Sequence, residues 1–434
     1  MAGLVVIGGG LAGCEAAWQA ARRGVEVTLF EMRPARLTEA HTTGLLGELV
    51  CSNSLRSADI LSAPGLLKKE LAMAGSLIMQ AAEVSRVPAG SAFAVDRGAF
   101  AKFLTRALSN SPHIAVVREE VNALPDSPSI VATGPLTSAF MAEALKRILG
   151  HEYLHFYDAI APIVDAESIE YRKVYFGSRY GKGGDDYINC PMTKNEYEIF
   201  YDALCEADKV NVRAFENEKV FEGCMPVEVM ALRGKDTLRF GPMKPVGLPE
   251  PNTGREPYAV VQLRPENREG SAYNMVGFQT RLKWPEQKRV FSMIPGLEGA
   301  EFLRYGSVHR NTFINAPQSL EKDLTLKACP AVHLAGQITG VEGYIESTAM
   351  GLVAGINASR KMNGKESVEV PLTTAHGSLI HHITSPSKNF QPSNIHFGLF
   401  PAVNSGIKKK DLKRKKIVER AISDWADYLE KAGV

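Results

Sequence analysis

Two of the six cysteines lie in sequence where a thiol could do chemistry. Cys51 is part of the segment ELVCSNSLRS, and Cys224 lies between a glycine and a Met-Pro pair; both stretches are polar and irregular. A thiolate is a strong nucleophile, whereas a lone cysteine is more often an inert small hydrophobe in a core. The irregular surroundings favour the reactive interpretation for this pair. Cys14, on a predicted helix, is expected to be structural, and Cys190 is given no catalytic part.

No spacing in the chain predicts a metal site. The cysteines lack a C-x-x-C pair, so neither a zinc site nor a disulfide framework is expected. His381 and His382 are adjacent and therefore point in different directions. We interpret them as loop histidines rather than as metal ligands.

A glycine motif near the N-terminus predicts a dinucleotide site. An apolar run at residues 4–7, typical of a buried parallel strand, leads into GGGLAG and a predicted helix over 11–23. A second predicted strand at 25–30 is followed by an acid, at the spacing at which a carboxylate binds a ribose hydroxyl. The motif suits FAD as well as NAD. The expected contacts are Gly8, Gly9, Gly10, Leu11, Ala12 and Gly13 for the phosphates and Glu31 for the ribose.

A second glycine turn predicts that the chain returns to the same cofactor. A predicted strand over 331–335 leads into GQITG, and a helix rich in small residues follows over 343–360. Gly336, Gln337 and Gly340 are the expected cofactor contacts in this turn. Such a helix could approach a flavin closely, and its N-terminus would favour negative charge. The alternative is a tightly packed core helix.

The rest of the chain predicts an α/β fold, in which a Rossmann-like FAD-binding domain carries an inserted α+β domain. The length of 434 residues is enough for two or three domains, and 45% hydrophobic with 23% charged residues is ordinary for a soluble globular protein. After residue 150 the sequence is richer in aromatic residues and is interrupted by glycines. We predict a first part of the cofactor domain at 1–150, the insertion at 151–325, the return at 326–364 and a C-terminal segment at 365–434.

Several local patterns predict individual elements. One helix is expected over 64–82, a second over 98–109 with Asp96 as its cap, and a third after a capping box of Thr193 and Glu196. Strands are expected over 258–263 and 273–278, and a helix over 286–293. A final helix over 408–431 has an apolar face of Leu412, Val418, Ala421, Ile422, Trp425 and Leu429.

The start of that final helix is strongly basic, with eight Lys or Arg and two acids between residues 408 and 420. A charge run is usually a solvated face. The functional alternative is contact with a nucleic-acid backbone, which would make binding strongly salt-dependent. The candidate RNA contacts are Lys408, Lys409, Lys410, Lys413, Arg414, Lys415 and Lys416.

The sequence predicts no membrane segment. The N-terminus lacks a positive region followed by an apolar one, and no apolar stretch approaches the length that spans a bilayer. A reducing cytoplasmic setting is expected, in which cysteines remain thiols. No protein partner is predicted.

Taken in order, the motifs resemble one enzyme family over most of the chain. GGGLAGCEAAW, ELVCSNSLRS, GKGGDDYINCPM, FEGCMPVE, AGQITGVEGYIESTAMG and NIHFGLFP are similar to segments of the folate- and FAD-dependent tRNA uracil-5-methyltransferases. The resemblance implies an FAD enzyme that places a one-carbon unit from 5,10-methylenetetrahydrofolate on C5 of the T-loop uridine, position 54, of tRNA. NAD(P)H would reduce the flavin.

The same resemblance implies that Cys51 and Cys224 are the reactive pair. Uracil C5 is a poor nucleophile, so one thiolate would add to C6 while the other assists removal of the C5 proton. The sequence leaves open which thiol does which. Arg97, Lys182, Arg281, His309, Arg310 and Asn311 are polar candidates for folate or RNA contacts without a sharper role.

Two alternatives share the cofactor framework. A neighbouring family of flavoproteins modifies the tRNA wobble uridine, but its members are longer and carry an extra helical C-terminal domain. An FAD oxidoreductase for a small molecule would explain the glycine motif but not the cysteine motifs or the basic run.

Overall fold

The computed structural model describes residues 3–150, 154–210, 225–388, 390–403 and 409–434, with backbone only at 154–158, 309–310 and 410. The N-terminal part contains β1 (Leu4–Ile7), α1 (Leu11–Ala21), β2 (Val27–Phe30), β3 (Ser54–Ser57), α2 (Ala63–Met73), α3 (Leu77–Val84), β4 (Arg86–Val87), β5 (Ala92–Val95), α4 (Arg97–Ser109), β6 (Ile114–Val117), β7 (Ser129–Val131) and α5 (Ala139–Leu149). The middle part contains β8 (Leu154–Ala159), β9 (Ile163–Asp165), β10 (Tyr175–Phe176), β11 (Ile188–Met192), α6 (Lys194–Glu206), α7 (Val227–Ala231), α8 (Thr237–Phe240), β12 (Ala259–Pro265), β13 (Ala272–Met275), α9 (Trp284–Phe291), β14 (Phe302–Arg304) and β15 (Val308–Phe313). The C-terminal part contains α10 (Ala316–Ser319), β16 (Thr325–Leu326), β17 (Cys329–Leu334), α11 (Tyr344–Met362), α12 (Ala375–Thr384) and α13 (Lys410–Ala432).

The first sheet joins strands from both ends of the chain, in the order β16-β17-β7-β1-β2-β6. Strand β1 pairs in parallel with β2 and β7, and β17 adds in parallel beside β7, with β16 as an antiparallel edge. A parallel sheet of buried apolar strands with helices between them is the Rossmann-like α/β arrangement that the sequence predicts. That fold class is confirmed.

Helices α1 and α11 pack against each other through small residues. A Cβ at Gly351 would lie 2.2 Å from the Ala12 carbonyl oxygen, and one at Gly355 would lie 2.6 Å from that of Ala16. Only glycine therefore permits this approach. The body of α11 is a tightly packed core helix, and only its first turn faces the cleft described below.

The second sheet is built from the middle of the chain, in the order β10-β11-β12-β13-β9-β14. Its pairings are antiparallel, and its apolar face packs against α6 and α9 around Phe200, Phe278 and Phe291. The predicted capping box at Thr193 and Glu196 is present at the start of α6. Strands β8 and β15 form a separate antiparallel pair beside this sheet. The division into four domains stays a prediction, and β16 at its 325 boundary already pairs within the first sheet.

The single helix predicted over 64–82 is wrong, because two helices occupy this range. Gly75 adopts φ +68° and ends the first, and the Ser76 side chain accepts from the Met79 N–H and caps the second. A glycine in the left-handed conformation followed by a capping serine ends one helix and starts the next, although the apolar pattern of the sequence continues through both residues.

The interpretation of the tail histidines as loop residues is also wrong, because His381 and His382 lie on α12. The helix is capped by the Thr374 side chain, and a Cβ at Gly377 would lie 2.0 Å from the Pro371 carbonyl oxygen. Its sequence has low helix propensity, and tertiary packing overrides that preference.

The final helix docks on the body through a buried polar contact. His376 Nδ1 lies 2.7 Å from Glu70 Oε2, its ring stacks on Trp425, and the Trp425 N–H donates to the Glu70 carbonyl. Leu412, predicted on the apolar face, is 51% exposed instead, because the packed part of α13 begins at Ile417. Among the described residues, no helix combines the length and apolar character needed to cross a membrane.

Candidate active site

The first glycine turn forms a cradle at the end of β1. Gly8 adopts φ +107°, and a Cβ there would lie 2.5 Å from the Ala132 carbonyl oxygen. A Cβ at Gly13 would lie 1.8 Å from the Gly8 carbonyl oxygen, so the helix and the turn touch backbone to backbone. A Cβ at Gly10, by contrast, would meet no atom within 4 Å, because Gly10 opens onto a cleft. The N-terminus of α1 therefore meets this cleft without a side chain between them.

The cleft runs from Glu31 past the glycine turn to the start of α11. The empty space in it, counted together with its open mouth, is about 1030 Å³. Thr133 and Gly134, which follow β7, line one side. The cleft is lined by Gly8, Gly9, Gly10, Leu11, Ala12, Glu31, Gly336 and Gln337 among the predicted contacts.

Two predicted cofactor contacts do not line the cleft. Gly13 lies beneath the turn, where it permits the close approach to Gly8. Gly340 adopts φ +87° and lies against Phe390. A Cβ at Gly340 would lie 2.4 Å from Phe390 Cζ. Both glycines thus shape the turns from behind.

Glu31 is held in place at the end of β2. One carboxylate oxygen accepts from the Gly9 N–H at 2.8 Å, and the other accepts from Arg33 Nε at 2.8 Å. Burial alone would raise the pKa of Glu31, but the Arg33 hydrogen bond and charge outweigh it, and the net pKa is lowered. The side chain is therefore a fixed anion at the cleft wall. Its role toward a ribose stays a prediction.

Cys51 lies in a second cavity that adjoins the cleft. This cavity has an empty volume of about 500 Å³, and Gln337 and Tyr344 line both spaces. Cys51 Sγ is 3.0 Å from Tyr344 Oη, and the Cys51 N–H donates to the same oxygen at 2.8 Å. The thiol thus lies where the cofactor cleft and the second cavity meet.

Tyr344 is a functional candidate that sequence reasoning missed. Burial and the neighbouring Cys51 raise the pKa of its hydroxyl well above the ordinary value, so the group stays protonated at neutral pH. Because its oxygen accepts from the Cys51 N–H, its proton is available to donate to a thiolate. The signal in the sequence is its position at the first residue of α11, four residues after the glycine turn ends at Gly340.

Some of the remaining predicted site residues lie in the part of the chain that the structure describes, and others lie outside it. Cys224, Lys408 and the side chain of Lys410 lie outside the described residues, so the structure does not bring the two cysteines together or separate them. Among the described basic residues, Lys409, Lys413, Lys415 and Lys416 are exposed, and the Arg414 guanidinium lies 5.9 Å from the centre of the Phe397 ring.

Comparison with known proteins gives consistent matches. The family model "Glucose inhibited division protein A" matches residues 3–366. A protein of Moorella thermoacetica is 58% identical over 432 residues, covering 99% of both chains, and one of Geobacter sulfurreducens is 58% identical over 429 residues, covering 98% of both. Each is named methylenetetrahydrofolate--tRNA-(uracil-5-)-methyltransferase TrmFO.

Solved structures agree on the fold. Aquifex aeolicus GidA superposes with a TM-score of 0.72 at 18% identity, over 99% of this chain and 74% of that one. At this identity the likeness concerns the fold alone. With the family model over most of the chain and relatives above half identity over its whole length, the chain belongs to the glucose inhibited division protein A family and, with those relatives, to the methylenetetrahydrofolate--tRNA-(uracil-5-)-methyltransferases.

Proposed function

We propose that this chain transfers a one-carbon unit from 5,10-methylenetetrahydrofolate to C5 of a tRNA uridine, with FAD as its cofactor and NAD(P)H as reductant. The observation that carries the proposal is the position of Cys51, whose thiol lies at the junction of a dinucleotide-type cleft and a second cavity. The activity named for the chain's relatives is methyl transfer from a folate to uracil C5, which needs a nucleophile to activate that carbon.

The cleft fits FAD on its own geometry. The glycine cradle leaves backbone N–H groups and the N-terminus of α1 open to a pyrophosphate, and Glu31 is fixed as an anion at the ribose end. Gly336, Gln337 and Tyr344 would then face the flavin end. Bound and reduced, the flavin would supply the two electrons that turn the transferred methylene into a methyl group.

The chain's own residues supply the activation of uracil. A thiolate adding to C6 forms a carbon–sulfur bond and makes C5 nucleophilic. C5 takes up the methylene, loss of the C5 proton breaks the bond from the methylene to its nitrogen carrier, and hydride addition to the methylene expels the thiolate and restores the ring. Cys51 and Cys224 are the two thiols for these steps, in either assignment. The Tyr344 hydroxyl would stabilise the Cys51 thiolate through the 3.0 Å contact.

The RNA contacts of the proposal lie on α13. Its exposed lysines would hold the tRNA backbone, and the target uridine, proposed as position 54 of the T-loop, must leave its stack before a thiol can reach C6. This function places the protein in the cytoplasm, with tRNA and folate as its partners.

The decisive test is an assay with unmodified tRNA, NADPH and methylene-labelled folate. We expect purified protein to absorb as a flavoprotein and to transfer label into 5-methyluridine without S-adenosylmethionine. Cys51→Ala and Cys224→Ala should each lower transfer by at least about a thousandfold while FAD stays bound, because each removes a group that makes or breaks a bond.

Cys205→Ala is the matched control, since Cys205 lies on α6 away from both cavities. It should retain full transfer. A label that depends on S-adenosylmethionine would contradict the proposal, and full activity of either Cys51→Ala or Cys224→Ala would remove that cysteine from it.

A further inference from the structure

The loop that carries Cys51 is held by three arginines from separate elements. Arg97 at the start of α4 donates to the Leu49 carbonyl at 3.0 Å, and Arg304 at the end of β14 donates to the Val50 carbonyl at 2.9 Å. Arg264 on β12 donates to Ser52 Oγ at 2.9 Å and to Asn53 Oδ1 at 2.8 Å. Hydrogen bonds thus fix the loop on both sides of Cys51. We call Arg97, Arg264 and Arg304 the arginine clamp.

The clamp connects the second sheet with the N-terminal part of the chain through the reactive loop. Arg264 and Arg304 belong to the second sheet, whereas Arg97 follows β5 in the N-terminal part. Glu266, just after β12, pairs with Arg97 at 2.5 Å. Asn53 Nδ2 also donates to the Pro265 carbonyl at 2.9 Å. The position of Cys51 relative to the cofactor cleft therefore depends on contacts with the middle of the chain.

The three guanidinium groups also bring positive charge to the thiol. Each interacts electrostatically with Cys51, and Arg264 is only 6% exposed, so water screens its charge weakly. Cations beside a cysteine favour its thiolate form. In the part of the chain that the structure describes, the charged and titratable groups around the loop and its clamp are Arg97, Arg264, Arg304, His41, Glu48, Tyr187, Glu266, Glu342 and Tyr344.

We propose that the arginine clamp consists of positioning residues, through which the second sheet holds Cys51 at the cofactor cleft and keeps its thiol reactive. The proposal rests on the proposed function for the reaction that Cys51 serves. The effect of the clamp on the reactivity of Cys51 can be measured without that reaction. Because Arg304 donates to two carbonyls, those of Val50 and Ala40, its loss should free the loop most directly.

The test compares Arg304→Gln and Arg304→Lys in the full-length, FAD-bound protein. The probe is iodoacetamide, and the readout is the rate of Cys51 alkylation against pH, followed by mass spectrometry of its peptide. Arg304→Gln should alkylate about tenfold more slowly near neutral pH, with its midpoint about one pH unit higher. In the transfer assay it should lower kcat while the KM for tRNA changes less than about twofold.

Arg304→Lys keeps the charge but replaces the two separate NH₂ groups that reach the Val50 and Ala40 carbonyls by one compact ammonium, which cannot keep both contacts in the same geometry. It should restore the alkylation midpoint and leave kcat low, which separates charge from position. Arg289→Gln removes an exposed arginine that pairs with Glu286 on the same sheet's helix, and it should change neither measurement.

Wild-type alkylation of Cys51 in Arg304→Gln would overturn the clamp, as would an equal loss in Arg289→Gln. Flavin absorbance and the melting temperature identify a variant that fails to fold, in which case Arg304→Lys carries the test through its kcat. Absence of methyl transfer by the wild-type protein would contradict the proposed function alone, since the alkylation difference would still stand.

Discussion

The glycine cradle and the Cys51 loop meet at one site but are built in opposite ways. The cradle comes from consecutive residues, 8–13, whose conformation follows from small size and backbone contact. The Cys51 loop has irregular backbone, and its partners come from α4, β12, β14 and α11. A contiguous motif carries its geometry with it, whereas a loop of this kind acquires its geometry only when distant elements assemble.

Because the two regions are built differently, substitutions in them should impair different properties of the protein. A change in the cradle should act on folding or on cofactor binding, depending on which way the added atoms point. A change around Cys51 should act on the chemistry while the cofactor stays bound. Variants in the two regions should therefore differ in which property they lose.

The largest effect on stability is expected for Gly8→Ala. Its φ of +107° and the 2.5 Å approach to the Ala132 carbonyl oxygen should lower the free energy of unfolding by about 3 kcal/mol. Chemical denaturation of the FAD-free protein measures this.

Gly10→Ala is the matched change in the same turn. Gly10 has an ordinary φ of −77° and open space around it, so the free energy of unfolding should change by less than about 0.5 kcal/mol. FAD affinity should fall about tenfold, because the new methyl group enters the cleft. Equal destabilisation by both changes would contradict the assignment of Gly10 to the cleft.

An intermediate effect is expected for Tyr344→Phe. The change removes the hydroxyl that accepts from the Cys51 N–H and contacts its thiol, so kcat should fall about tenfold to a hundredfold. FAD should remain bound, and the midpoint of Cys51 alkylation should rise in pH.

Tyr180→Phe is the control for that change, because Tyr180 is 58% exposed on the second sheet's side of the chain. It should behave as wild type. If Tyr344→Phe instead lost FAD with unchanged Cys51 reactivity, Tyr344 would belong to the cradle rather than to the cysteine loop.

The smallest effect is expected for changes on α13, which belongs to neither the glycine cradle nor the Cys51 loop. Replacing Lys413, Lys415 and Lys416 by Gln should weaken tRNA binding about tenfold and reduce its logarithmic salt slope by about 2 to 3, with the FAD content unchanged. A control replaces three exposed lysines of other elements, Lys102, Lys194 and Lys288. Equal salt slopes for both triple variants would make the basic run a solvated face.

Two helix assignments could not be predicted from the apolar pattern of the sequence. The apolar pattern over 64–82 continues through Gly75 and Ser76, yet their backbone conformations divide it into α2 and α3. Helix α12 was missed for the opposite reason, since its glycine, serine and histidines are poor helix formers. Its burial against the body, including the contact of His376 with Glu70, stabilises what the local sequence does not.

The Rossmann-like unit, its glycine turns and the candidacy of Cys51 follow from the sequence alone, because these depend on residue types at short spacing. Cys51 was identified by its surroundings and by resemblance, without any partner. Its partners emerge only in the folded chain, where Tyr344 contacts the thiol and the arginine clamp holds the loop. These partners lie 48 to 293 residues along the chain from the loop residues that they contact, and folding alone brings them within hydrogen-bond distance.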